Sequence, residues 1–204
     1  MNIENCMDGS VSNLMVFNNH IKGVVESFLE GVNDTVIMYG PTGSGKTYTM
    51  LGDERTRKHL RDVTDIDLLG GLQRTPRRNE PGVLLYALDY IFKNLEIINN
   101  KTIIKVSYIE IYNDIIYDLL QEKSILFNPL TINETEAGKF ILKGVIEQQV
   151  KDIAEVIQSI KRGESNRHYA ENIMNHNSSR SHTIFQVKLK RITEEAVINS
   201  EIVN

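Results

Sequence analysis

The octapeptide GPTGSGKT at residues 40–47 follows directly on the apolar, β-branched run TVIMY at 35–39. Few local sequences restrict a fold more. Gly40, Gly45, Lys46 and Thr47 satisfy the spacing G-x-x-x-x-G-K-[ST], in which each residue type answers a separate need. Glycines let backbone amides turn inward around phosphate oxygens, where a side chain would block the approach, and Gly43 adds to that freedom. Lys46 supplies a mobile positive charge for the β- and γ-phosphates, and the Thr47 hydroxyl is a ligand for magnesium. Pro41, Thr42 and Ser44 complete the loop. A strand ending at Tyr39 and a helix opening at Lys46 are the expected flanks. The bland alternative is a glycine-rich turn without a ligand, but such a turn needs neither flank. Nucleoside triphosphate binding is the favoured reading, with ATPases, GTPases and small-molecule kinases all sharing the loop.

Around the loop, apolar spacing sets out alternating helices and strands. Phe17, Ile21, Val24, Val25 and Phe28 form a helical stripe that Gly31 is suited to stop. Leu84, Leu85, Leu88, Ile91, Phe92 and Leu95 form a second stripe, with Pro81 near its start. The run TIIKVSYIEIY at 102–112 reads as a long strand, and Asn113 and Asp114 as caps for a short helix through Leu120. A strand pair is expected at 131–133 and 140–142 about a turn holding Gly138, then a helix on Val150, Ile153, Val156, Ile157 and Ile160 ended by Gly163. Thr183, Phe185, Val187 and Leu189 alternate with polar residues as a half-buried strand does. The alternation predicts one three-layer α/β domain over 1–204, a central mixed, mainly parallel sheet with helices on both faces. Within it, 1–13 reads as a flexible N-terminus, 52–81 as a long surface insertion and 192–204 as a weakly defined tail.

Bulk properties exclude several classes. A net charge of −4 and a pI near 5.8 argue against holding nucleic acid or anionic lipid by overall charge. Arg55, Arg57, Lys58 and Arg61 are interleaved with acids and read as a solvated loop. Cys6 is the only cysteine, which removes an internal disulfide, and no apolar run approaches the roughly 18 residues of a membrane span. No membrane or direct nucleic-acid partner is expected, and the location expected is cytosolic or nuclear. His20, His59, His168, His176 and His182 show no metal-like pairing with carboxylates, so no metal is expected beyond nucleotide-bound Mg²⁺.

A second string bears on the reaction. Residues 175–182 read NHNSSRSH, small hydroxyls and one guanidinium just before the last strand. Alone it would be an ordinary serine-rich loop. Together with the phosphate loop it resembles the switch I sequence of kinesins, N-x-x-S-S-R-S-H, and the likeness extends through YGPTGSGKTYTM at 39–50, VSYIEIYNDIIYDLL at 106–120 and NRHYAENIMNHNSSRSHTIF at 166–185. Pro41 stands where glutamine is usual. NRHY and SSRSHTIF are most similar to the mitotic centromere-associated kinesins.

The resemblance implies a P-loop NTPase-like kinesin motor fold, ATP and Mg²⁺ as cofactors, and microtubules as partner, with a cytoplasmic, cytoskeletal or spindle location. It implies that Ser179 binds magnesium, directly or through water, opposite Thr47, that Ser178 and Asn175 approach the γ-phosphate and the attacking water, and that Tyr48 takes the position of a ring stacked on adenine. Arg180 would pair with a glutamate of switch II, a D-x-x-G-x-E segment that these 204 residues do not contain. Two expectations follow: an ATP-hydrolysing microtubule motor represented by an incomplete chain, or a non-catalytic nucleotide-binding subunit completed by a partner chain.

Overall fold

The computed structural model describes residues 6–53, 80–98, 102–125, 128–174 and 181–191, with backbone alone for 96–98 and 168–174. The chain divides into two compact units, Met1–Asn99 and Asn100–Asn204.

In the first unit, helix α1 (Asn13–Val16) is capped by Ser12, whose hydroxyl accepts from the Met15 amide at 3.2 Å. It runs through a π-helical turn (Phe17–Ile21) into α2 (Lys22–Glu30). Gly31, at φ 103°, ends α2 as expected: its own amide reaches Phe28 O and the Val32 amide reaches Ser27 O, the paired bonds of a Schellman cap. The glycine loop follows, then α3 (Lys46–Leu51), and after residues 54–79, which lie outside the described residues, α4 (Val83–Ile98). Phe17, Ile21, Val25 and Leu29 bury their side chains, as does Val83 of α4; of the stripe read from sequence in α4, Leu85, Leu88, Ile91 and Phe92 are buried and Leu84 and Leu95 half-buried.

The run at 35–39 departs from expectation. It joins no ladder, and its Ile37 and Tyr39 are 76% and 95% exposed. A strand exists only where a neighbour takes its amides and carbonyls, and none of the described residues of this unit forms a strand beside it. β-propensity alone does not make the ladder.

In the second unit, β1 (Thr102–Tyr112) is the spine. It pairs antiparallel with β2 (Ile115–Asp118), with β5 (Gln148–Val150) and, along all eleven residues, with β6 (Ser181–Arg191), where Thr102 faces Arg191 and Tyr112 faces Ser181. A separate hairpin joins β3 (Thr131–Glu134) to β4 (Phe140–Lys143), close to the expected spans. Helix α5 (Ile153–Met174) packs on β1 and β5 through Val156, Ile157 and Ile160. The class is α/β as expected. Every ladder among the described residues is antiparallel: short turns join β1 to β2 and β3 to β4, while β5 and β6 reach β1 through long connections that bring them back in the opposite direction.

Two local readings are corrected. Asn113 and Asp114 do not cap a helix: at φ 51° and 63° they form a two-residue turn of the left-handed kind that matches strand twist, and the chain returns as β2. Asx side chains tolerate that region, so the same two residues serve either role, and the pairing of β2 with β1 selects the turn. Gly163 does not end α5, which continues eleven residues to Met174. The glycine is buried mid-helix, and a Cβ there would lie 2.2 Å from Tyr108 Cδ1. It admits a ring rather than terminating a helix.

Candidate functional site

Helix α3 begins where the glycine loop ends. Gly43 and Gly45 sit at φ 83° and 90°, which side-chain-bearing residues rarely adopt, and Gly45 is the residue from which α3 starts. A side chain on Gly40 would meet Ser44 Oγ at 2.7 Å. The loop is pinned by the Ser44 amide on Pro41 O at 3.2 Å and by the Thr49 amide on Gly45 O at 2.8 Å. Pro41, Thr42, Gly43, Ser44, Thr47 and Tyr48 are exposed.

Lys46 curls over this loop. Its ammonium donates to Gly40 O and Pro41 O, each at 2.8 Å, and meets no carboxylate among the described residues. A cation held by neutral carbonyls, in a glycine loop open to solvent, is a donor set suited to a polyphosphate with its magnesium. Thr47, next in the chain, offers the hydroxyl such a cation takes.

Behind the loop lies a polar ring that the sequence does not announce. The Tyr48 hydroxyl donates to Glu80 Oε2, and the Asn13 amide donates to Glu80 Oε1 at 2.5 Å. The Asn13 side chain, on a residue only 3% exposed, donates to Tyr48 O and Pro81 O at 3.1 Å each. The hydrogen bond to Glu80, with desolvation second, pushes the Tyr48 phenol up to about 12, and burial does the same for Tyr86. An antiparallel bridge between Gly52 and Pro81 closes the root of 54–79, so tightly that a Cβ on Gly82 would fall 2.2 Å from Met50 O. Asn13 and Glu80 are separated by 67 residues, and no local spacing links them.

The other expected residues, Asn175, Ser178, Ser179 and Arg180, lie outside the described residues, which hold the elements on either side, α5 and β6. Close before them, Arg167 Nε stands 3.4 Å from Glu110 Oε1; Glu110 is 1% exposed on the inward face of β1 with Ile104, Val106 and Tyr108. Tyr108 donates to Glu164 Oε1 at 2.5 Å. No three His, Cys, Asp or Glu side chains stand together as a metal site among the described residues, and no helix there is long and apolar enough to cross a membrane.

The family model for the kinesin motor domain matches residues 1–203. The chain belongs to the kinesin motor family. Among kinesin relatives it is 35% identical to the human kinesin-like protein KIF9 over 196 residues, 92% of this chain and 22% of that protein. It is 33% identical to the kinesin-like protein KIN-7N of Arabidopsis thaliana over 189 residues, 92% of this chain and 20% of that protein. A solved structure of a fast kinesin, discussed for its ATPase mechanism and its interactions with microtubules, superposes with a TM-score of 0.77 at 31% identity, covering 96% of this chain and 49% of the other. The kinesin likeness read from the two motifs therefore extends through the fold, and the chain spans about half of that kinesin and a smaller part of its curated relatives.

Proposed function

We propose that residues 40–47 bind the phosphates of ATP with Mg²⁺, and that the chain is the nucleotide-binding part of an ATP-driven microtubule motor. The observation that carries this reading is the Lys46 ammonium, held on two backbone carbonyls of a solvent-open glycine loop with no carboxylate beside it among the described residues. Lys46 exchanges those carbonyls for β- and γ-phosphate oxygens, and the backbone amides of 43–47 hold the remainder. Thr47 and Ser179 are the residues proposed to hold magnesium, which when bound neutralises charge on the phosphate oxygens. Asn175 and Ser178 orient the attacking water, and Arg180 closes the site on an acidic partner. Phosphoryl transfer asks mainly for positioning and charge stabilisation, which hydroxyls, an amide and two cationic side chains provide. Microtubules as partner and a cytoskeletal location follow from kinship with kinesins.

The test is direct. The 204-residue chain and its Lys46→Ala variant are titrated with a fluorescent ATP analogue in the presence of Mg²⁺, and phosphate release is followed with and without microtubules. Saturable binding that the variant loses by a hundredfold or more supports the site; equal binding by both refutes it. Release accelerated by microtubules supports the motor. Binding without release supports the second reading, a nucleotide-holding subunit completed by another polypeptide, which the exposure of Ile37 and Tyr39, on an apolar run that joins no ladder among the described residues, favours.

A further inference from the structure

Two donors from distant parts of the first unit converge on one side chain: the Tyr48 hydroxyl and the Asn13 amide each take one oxygen of Glu80. Asn13 then closes the circle by donating to the Tyr48 carbonyl. Tyr48 is thereby held at both ends, by its phenol and by its backbone, while the residue stays 43% exposed one position beyond Thr47. A carboxylate is the side chain that satisfies this arrangement, since it accepts at both oxygens; an amide accepts at one and would aim N–H at the second donor.

We propose that Glu80 is a positioning residue of the nucleotide site, which fixes the Tyr48 ring in one orientation so that its face is ready for the base of a bound nucleotide. The proposal rests on the nucleotide reading above and adds to it a residue outside the phosphate loop. A ring already held loses little freedom when a base stacks on it, so the gain is in affinity for the base and not for the phosphates. Asn13 supports Glu80 from behind, and the Gly52–Pro81 bridge holds the backbone of the residue that follows Glu80.

The experiment compares Mg²⁺·ATP with magnesium tripolyphosphate, which has the phosphate chain but no base, as ligands of the 204-residue chain by calorimetric titration. Glu80→Gln and Tyr48→Phe are each expected to weaken ATP by about tenfold while leaving tripolyphosphate within about twofold, and the double variant to add little to either. Tyr48→Phe removes one hydroxyl and retains the ring, which keeps the test valid should Glu80→Gln fold poorly; circular dichroism checks both. Equal losses for both ligands would mean that Glu80 only supports the loop, and no loss for ATP would mean that the ring is not held for the base; either result overturns the proposal. Failure of the unaltered chain to bind either ligand refutes the underlying nucleotide reading instead.

Discussion

Replacing Gly163 by alanine should destabilise the second unit, against the sign that helix propensity dictates. In a helix interior alanine is favoured over glycine by about 0.8–1.0 kcal/mol. At Gly163 the new methyl would lie 2.2 Å from Cδ1 and 2.6 Å from Cε1 of Tyr108. That ring cannot step aside cheaply: Tyr108 is 3% exposed, its hydroxyl is tied to Glu164, and its edge packs on Phe185 with centroids 5.4 Å apart and planes at 79°. Overpacking of this kind costs about 1–3 kcal/mol, and two overlaps with a rigid ring belong at the upper end. The net is a loss of about 1–2 kcal/mol, which for a urea slope of about 2 kcal/mol/M lowers the midpoint by ~0.5–1 M. The control is Gly23→Ala in α2, exposed and with open space for 4 Å around where a Cβ would stand, where the same substitution should stabilise by about 1 kcal/mol. Because the chain has two units, hydrogen exchange of amides within Ile153–Met174 and Lys22–Glu30 assigns each change to its own helix. A Tyr108→Ala background should abolish the penalty at Gly163. If Gly163→Ala raises the midpoint as Gly23→Ala does, the packing argument is wrong.

Other expectations follow from the same structure. Arg167→Met strands the buried Glu110 carboxylate and should lower the urea midpoint by the equivalent of about 3 kcal/mol, with Glu110→Gln in the same background recovering much of the loss. Asp114→Gly should be neutral or slightly stabilising, and Asp114→Val should cost about 1–2 kcal/mol at its positive φ, both read by thermal melts. Lys188, then Lys105, hold the Glu147 carboxyl below its usual value of 4.5, so its contribution to stability is complete above that value and is lost as pH falls through the lower folded-state value. Glu147→Gln should therefore flatten part of the acid limb of a stability–pH curve while leaving its shape above about pH 6 unchanged; an unaltered acid limb would count against the pairing.

Much of this protein is written in local patterns. The phosphate loop is legible because amides that face phosphate require glycine at fixed intervals, and the helices of the first unit because one buried face repeats every three to four residues. The Gly31 cap and the hairpin of β3 and β4 are equally local. Where two local signals compete, context decides: Asn113 and Asp114 suit a helix cap and a left-handed turn alike, and only the pairing of Ile109 with Asp118 selects the turn. Gly163 reads as a stop until Tyr108, 55 positions earlier, occupies the space of its absent side chain. The run at 35–39 has strand composition but no neighbour to complete a ladder among the described residues. Glu80 and Asn13 carry no signal of their own, since a polar residue becomes significant only through the donor or acceptor that folding brings to it. Periodicity, loop chemistry and family were therefore determined by the order of residues alone. The ring fixed by Glu80, the inward ion pair of Glu110 and the glycine beneath Tyr108 were decided by the tertiary structure, because each depends on contacts between residues that sequence spacing does not relate.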